Sequence, residues 1–160
     1  MARLMALDVG KARIGVAVSD AGGFLASPYT TLRVPHDEQQ LWTQLQRLIE
    51  ETGAEGLVIG LPISLDGQLH AQAAWVQDFT ERLRQHIALP ITFWDERLST
   101  VEAQRLLMQR DQELEGRRRG SAQRRQPRGK KKRRAQEIDA LAAVVFLQEY
   151  LDHLRSQGRQ

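Results

Sequence analysis

Three acidic residues stand in apolar surroundings, where a carboxylate needs a specific partner. Asp8 lies within the run LMALDVG, Glu96 ends the run ITFWDE, and Asp139 lies in EIDALAAVVFLQEYL. Acidic residues are rare inside strands and are almost never fully buried without a partner. Taken singly, each has an ordinary explanation: Asp8 could cap a turn, Glu96 could pair with a neighbouring arginine, and Asp139 could stabilise a helix dipole.

The case for chemistry is stronger when the acids are taken together, because each lies at the end of an apolar element and beside a loop. Ligands of open α/β sheets gather outside the carboxyl ends of strands. Converging carboxylates repel one another unless a cation lies between them. Their oxygens suit Mg²⁺ or Mn²⁺, and two such ions can activate water and stabilise the leaving oxygen of a phosphodiester. Because Asp95 and Glu96 alternate along a strand, only one of them can face the site of Asp8.

The hydrophobic pattern predicts the elements that position these acids. Three early strands, the first two close enough for a hairpin, precede an alternation of helices and strands. This order predicts an α/β fold with a mixed five-stranded sheet, three antiparallel strands followed by parallel ones, and helices on both faces. The predicted strands are 3–9, 13–19, about 30–34, 56–60 and 91–96, and the predicted helices are about 35–53, 68–85, one that begins at the Ser99 and Glu102 capping box, and 135–154.

Composition narrows the class of protein. The 160 residues, 41% of them hydrophobic, suit a single domain over 1–160. The chain has no cysteine, which excludes disulfides, zinc–thiolate sites and cysteine nucleophiles. Its first residues lack the apolar core of a signal peptide, and no apolar run is long enough to span a bilayer. We therefore expect a cytoplasmic protein without membrane contact.

The positive charge is concentrated in one segment. Residues 117–134 read RRRGSAQRRQPRGKKKRR and hold 11 of the 23 Lys and Arg residues, with no acid, so the rest of the chain is net acidic. Such a segment often contacts polyanions, because binding releases counterions. A solvated surface loop explains it as well, and its composition predicts disorder over about 115–134. The two interpretations are compatible, since a disordered basic loop can bind nucleic acid.

Cations near the candidate acids and in the basic segment are the predicted nucleic-acid contacts. Lys11 and Arg13 follow Asp8 closely, although a turn with surface charges explains them equally well. Arg97 follows Glu96 and could either steady that carboxylate or bind the substrate backbone. The aromatic residues Trp42, Trp75, Phe79 and Trp94 are expected in the core, and the four histidines at the surface. The complete predicted set of nucleic-acid-binding residues is Lys11, Arg13, Arg97, Arg124, Arg125, Lys130, Lys131, Lys132, Arg133 and Arg134.

Four stretches of the chain resemble the motifs of one known family in order and spacing. They are ALDVGKARIGVAVSD, VIGLPISLDG, FWDERLSTVEAQ and EIDALAAVVFLQEYL. They are similar to those of the YqgF/RuvX family, which is named both for Holliday junction resolution and for pre-16S rRNA processing. The resemblance extends over about 5–151, nearly the whole chain. It implies an RNase H-like fold, a nucleic-acid substrate and one or two Mg²⁺ or Mn²⁺ ions.

The resemblance also selects catalytic residues. The family's acids match Asp8, Glu96 and Asp139, so that Glu96 is preferred to Asp95 as the strand carboxylate. We expect these three to bind metal and to catalyse phosphodiester hydrolysis in structured RNA, above all 5′-end processing of pre-16S rRNA. The alternatives are resolution of branched DNA, which would need a homodimer with two sites, and a nucleic-acid-binding factor without catalysis. An actin-like phosphotransferase would need two such domains and is disfavoured by the length.

Overall fold

The structure, a computed structural model, describes residues 3–62, 71–95 and 128–158, with only the backbone described for 71 and 128–138. None of the helices in these ranges is long and apolar enough to cross a membrane. The elements, in chain order, are β1 (Leu4–Val9), β2 (Arg13–Ser19), β3 (Ala26–Arg33), α1 (Glu38–Thr52), β4 (Gly56–Leu61), α2 (Ala71–Arg84), β5 (Ile91–Asp95) and α3 (Arg128–Gln157).

The five strands form one sheet in the order β3–β2–β1–β4–β5. β2 is antiparallel to β1 and to β3, whereas β4 is parallel to β1 and β5 is parallel to β4. The predicted mixed five-stranded sheet is therefore confirmed. Since β1, β4 and β5 run in the same direction, their carboxyl ends lie at one edge of the sheet, together with Arg13 at the start of β2. We call this the carboxyl edge.

Helices α1 and α2 cover one face of the sheet. α1 buries an apolar stripe that includes Leu41, Trp42 and Leu45 against strand residues such as Leu7 and Ile59. Both ends of α1 have recognisable caps. The Asp37 carboxylate accepts a hydrogen bond from the Gln39 N–H at 3.0 Å, and Gly53, with a φ of 70°, donates its N–H to the Ile49 carbonyl at 2.9 Å.

Helix α3 covers the other face, where the strands present small side chains. Ala6 of β1 and Ala17 of β2 pair directly across the two strands, and both are fully buried under α3. Phe146 and Leu147 of the helix are also fully buried there. Small strand residues let the helix approach the sheet closely, and its large side chains then fill the space on either side. Helices on both faces are confirmed.

The third strand begins earlier than predicted. β3 starts at Ala26 and includes Pro28, whereas the sequence pattern suggested a start near Thr30. Proline is tolerated because β3 is an edge strand, where a missing N–H need not break a ladder on both sides. The ladder between β2 and β3 shifts register between Val16 and Ala17, opposite this part of β3.

The last helix also begins earlier than predicted. α3 starts at Arg128, seven residues before the predicted start at Ala135, and so includes the final part of the basic segment. Lys and Arg are good helix formers, and a helix already packed against the sheet can extend at low cost through such residues. The capping box at Ser99 and Glu102 and the disorder predicted for 115–127 fall in stretches that the structure does not describe.

Candidate active site

Asp8 lies near the carboxyl end of β1, on the face that α3 covers. It follows the buried Ala6 by two residues, and alternate residues of a strand share a face. Its partner on β2 is Gly15. Directly opposed residues of antiparallel strands have Cα atoms about 4.5–5.5 Å apart. The Asp8 carboxylate is half-buried, so it lies close to the helix layer without being sealed from solvent.

Asp139 reaches the same place from α3, through an unusually close approach of two backbones. A Cβ atom at Gly15 would lie 2.1 Å from the Asp139 carbonyl oxygen and 2.3 Å from its carbonyl carbon. No side chain fits at such a distance, and only glycine lets the helix rest on β2 at this point. The strand partner of Asp8 is therefore the residue on which the backbone of Asp139 rests. Two of the three predicted acidic residues, Asp8 and Asp139, therefore lie next to Gly15 at the carboxyl edge.

Arg13 provides a cation at this point. Its Nε donates to Oδ2 of Asp139 at 2.8 Å, across 126 positions of sequence. The Arg13 side chain is 40% exposed and that of Asp139 25% exposed. An ion pair this accessible to water contributes roughly 0–1 kcal/mol to stability. The pair therefore matters more for the local charge and for the position of the carboxylate than for the fold.

The turn after Asp8 is narrow. The Gly10 N–H donates to the carbonyl of Arg13 at 2.9 Å, and a Cβ at Gly10 would lie 2.8 Å from that same oxygen. Glycine thus permits the hairpin that returns the chain to Gly15. Lys11, at the tip of this turn, is exposed at the carboxyl edge.

Comparisons with known proteins agree with this arrangement. A family model described as RuvX, Holliday junction resolvase, matches residues 2–153. The chain belongs to the RuvX family.

Two proteins similar in sequence and one similar solved structure agree with this family and with the fold. A Roseiflexus sp. (strain RS-1) protein is 41% identical over 157 residues, 96% of either chain, and a Moorella thermoacetica protein is 39% identical over 156 residues, 98% of this chain and 99% of its own. Both have the provisional name pre-16S rRNA nuclease. The structure of T. thermophilus RuvC in complex with a Holliday junction substrate has a TM-score of 0.52 at 13% identity, over 98% of this chain and 97% of RuvC. This likeness confirms the predicted RNase H-like fold.

The fifth strand of this RuvX-family chain shows which face Asp95 occupies, one of the two acids between which the sequence had to choose. Trp94 faces α3: its ring centroid lies 5.4 Å from that of Tyr150, and its Nε1 donates to Oε2 of Glu149 at 3.2 Å. Asp95, the next residue, pairs with Leu61, whose side chain belongs to the core beneath α1 and α2. Strand alternation therefore places Asp95 on the face opposite to Asp8.

The other predicted site residues of the RuvX-family chain lie wholly or partly outside what the structure describes. Glu96, Arg97, Arg124 and Arg125 lie outside the described residues, and the side chains of 130–134 are not described although their backbone is helical. Within the described ranges, no group of three or more acids, histidines or cysteines is arranged to hold a metal ion. Of the three acids expected to bind metal, Asp8 and Asp139 are in these ranges, and both lie next to Gly15.

Gly15 is a site residue that the sequence patterns did not single out. An isolated glycine inside a strand is a sign of a close backbone approach, and the run RIGVAVS contains one. The aromatic residues stand as expected: Trp42 and Phe79 are buried, while Trp75 and Trp94 pack at the borders of the two cores. Of the histidines that the structure describes, His36, His86 and His153 are at the surface.

Proposed function

We propose that this chain is a divalent-metal-dependent nuclease that hydrolyses phosphodiester bonds in structured nucleic acid. The observation on which the proposal chiefly rests is the meeting of Asp8 and Asp139 at Gly15. The two residues come from elements far apart in sequence, and both lie next to Gly15 at the carboxyl edge, where neither is fully buried. The names of the relatives, pre-16S rRNA nuclease, and the description of the family, Holliday junction resolvase, support the same reaction class.

The described residues fit a divalent cation. Asp8 and Asp139 offer hard oxygen ligands, which suit Mg²⁺ or Mn²⁺, in a half-buried place that water and substrate can reach. Asp139 already attracts a cation, the guanidinium of Arg13. We propose Glu96 as the third carboxylate, because it follows by two residues Trp94, which faces α3. One or two such ions, when bound, would make a water molecule more nucleophilic and stabilise charge on the phosphate.

The chain's own residues would prepare the site in three ways. Gly15 permits the approach that brings Asp139 to Asp8, and so determines where the two carboxylates meet. The exposed Lys11 at the hairpin tip lies where it could contact the phosphate backbone of a substrate. The basic segment, with Arg124, Arg125 and Lys130, Lys131, Lys132, Arg133 and Arg134, would bind further phosphates without reading sequence, as would Arg97.

We propose structured RNA, and specifically the 5′ end of pre-16S rRNA in the cytoplasm, as the substrate. This choice follows the names of the relatives that match over nearly their full length. Branched DNA is the alternative, which the family description and the RuvC likeness favour. Resolution of a four-way junction needs two cuts related by symmetry and therefore a homodimer with two sites.

The test is a cleavage assay with labelled structured RNA and a four-way DNA junction, in Mn²⁺, Mg²⁺ or EDTA. We expect metal-dependent cleavage that falls by more than about 100-fold in Asp8→Asn, because a site short of one ligand binds and orients the ion poorly. Asp95→Asn is the matched control: it removes the same charge near the same edge, on the other face, and should retain activity. Binding without cleavage under all conditions would instead indicate a nucleic-acid-binding factor.

A further inference from the structure

The ion pair between Arg13 and Asp139 presents a conflict for a metal site. Oδ2 of Asp139 accepts a hydrogen bond from Nε of Arg13 at 2.8 Å, yet the same carboxylate is a proposed metal ligand. An arginine side chain remains charged at any ordinary pH, so it cannot resolve the conflict by losing its proton. A divalent ion on the same carboxylate would lie close to the guanidinium and repel it, so each cation weakens the binding of the other.

The structure allows the guanidinium to move while its backbone stays in place. The carbonyl of Arg13 accepts the Gly10 N–H at 2.9 Å, and the preceding carbonyl, of Ala12, accepts the Val34 N–H at 2.9 Å. These bonds hold the start of β2 on both sides. The side chain itself is 40% exposed, which leaves room for other rotamers. Arg13 can thus exchange partners without any change in the sheet.

A phosphate is the natural second partner. Guanidinium groups bind phosphate and carboxylate oxygens with the same donor geometry, often through two hydrogen bonds. Arg13 starts β2 at the carboxyl edge, next in sequence to the hairpin tip where Lys11 is exposed. A nucleic-acid backbone at the site of Asp8 and Asp139 would therefore lie within reach of the arginine once it had left the carboxylate.

We propose that Arg13 is an exchangeable counter-ion: it pairs with Asp139 before metal binds and with a substrate phosphate once a divalent ion has taken the carboxylate. This inference rests on the proposed nuclease function and gives Arg13 a positioning role in it. By linkage, an exchange of this kind makes metal and nucleic acid each strengthen the binding of the other. Arg13 then favours a metal-loaded site when substrate is present.

The first arm of the test is calorimetric titration of Mn²⁺ into the full chain without nucleic acid. Removal of the competing cation in Arg13→Gln should tighten Mn²⁺ binding by about two- to fivefold, as expected for a partly exposed pair. Arg33→Gln is the matched control, because Arg33 is the cross-strand partner of Arg13 and its removal changes the local charge equally. That control should change the Kd by less than about twofold, since solvent screens charges that make no direct contact.

The second arm measures the coupling. The Kd for a nuclease-resistant, phosphorothioate-linked RNA hairpin is determined by fluorescence anisotropy in EDTA and in Mn²⁺. The Kd in EDTA divided by the Kd in Mn²⁺ gives the coupling ratio. This ratio should be about two- to fivefold larger in the wild type than in Arg13→Gln, whereas Arg33→Gln should give the wild-type ratio. Effects of Mn²⁺ on the RNA itself are common to all variants and cancel in this comparison. Arg13→Lys, which keeps the charge but not the planar group, should lie between wild type and Arg13→Gln in both arms.

The outcomes separate this inference from the function on which it rests. Mn²⁺ binding by the wild type, together with an unchanged or weaker affinity in Arg13→Gln and an equal coupling ratio, would overturn the exchange and leave the nuclease proposal standing. Absence of Mn²⁺ binding by the wild type would overturn both. A cooperative thermal unfolding transition shows that each variant is folded. If Arg13→Gln does not fold, Arg13→Lys is compared with the wild type in its place.

Discussion

The carbonyl oxygen of Asp139 occupies the space in which a side chain at position 15 would begin, 2.1 Å from where the Cβ atom would stand. This one contact joins the last helix to the second strand and brings Asp139 to the strand partner of Asp8. Gly15 therefore has a structural role and also lies at the candidate site. Its substitution should affect stability and metal binding together.

Gly15→Ala should force α3 away from β2. A methyl group here meets backbone atoms, which cannot turn aside as a flexible side chain can. We expect a loss of about 1–3 kcal/mol in the free energy of unfolding, measured by urea denaturation, and a weaker Mn²⁺ affinity in the same protein. Gly158→Ala is the control, since a Cβ there would lie no closer than 3.6 Å to its neighbours. If Gly15→Ala and Gly158→Ala are equally stable, the backbone of Asp139 does not approach Gly15 as closely as described.

Asp37→Ala should lower stability without altering the site. The Asp37 carboxylate caps α1 by accepting the Gln39 N–H, on the face of the sheet away from Asp8. Loss of such a cap costs about 1 kcal/mol of unfolding free energy. Asp37→Asn should keep most of this unfolding free energy, because asparagine also caps helices. A change in Mn²⁺ affinity in either variant would contradict the separation of the two faces.

The turn between β2 and β3 should make part of the protein's stability depend on pH in the acid range. Oδ1 of Asp20 accepts the N–H groups of Phe24 at 2.8 Å and Leu25 at 3.2 Å, and these bonds lower the pKa of Asp20 below its ordinary value of 3.8. Because the folded-state pKa is the lower one, this stabilisation is present above the unfolded-state pKa and is lost as the pH falls through the folded-state pKa.

Thermal unfolding from about pH 6 to about pH 2.5 tests the role of Asp20. In Asp20→Asn the part of the Tm change that comes from this carboxylate should be absent. The Tm of the wild type should therefore fall more steeply with acid than that of Asp20→Asn. Parallel Tm curves for the two proteins would mean that the hydrogen bonds at the turn do not favour the charged carboxylate.

Neutralising the basic part of α3 should change the salt dependence of nucleic-acid binding. The variant replaces Lys130, Lys131, Lys132, Arg133 and Arg134 with Gln, which preserves helix propensity. If all five contact phosphates, the slope of log K against log salt should decrease in magnitude by up to about 4. Removal of two arginines of α2, Arg82 and Arg84, is the control on the other face. An unchanged slope in the five-residue variant would exclude this stretch from the interface.

Much of the fold could be predicted because its elements have strong local patterns. The strands β1, β2 and β4 are short apolar runs bounded by turns, and α1 has a cap, an apolar stripe and a terminal glycine. The start of β3 was missed because Pro28 suggests the end of a strand unless the edge position is known. The start of α3 was missed because Lys and Arg are compatible with either a helix or a solvated loop.

The site could be predicted only in part. Alternation showed that Asp95 and Glu96 cannot both face Asp8, and the sheet shows that Asp95 turns away from Asp8, through its pairing with Leu61. The role of Glu96 stays a prediction. The pair of Arg13 and Asp139 could not have been found from the sequence, since 126 positions separate them and no local pattern links them. It depends on the packing of α3 over Gly15.

A double-mutant cycle of Mn²⁺ affinity, by calorimetry, tests directly whether Asp8 and Asp139 share one metal site. The variants are Asp8→Asn, Asp139→Asn and the double variant. If the two carboxylates belong to one site, each single variant should lose about 10-fold or more in affinity. The double variant should then deviate from the product of the two losses, because residues that share a ligand are not independent. Wild-type affinity in both single variants would contradict a shared metal site at Gly15.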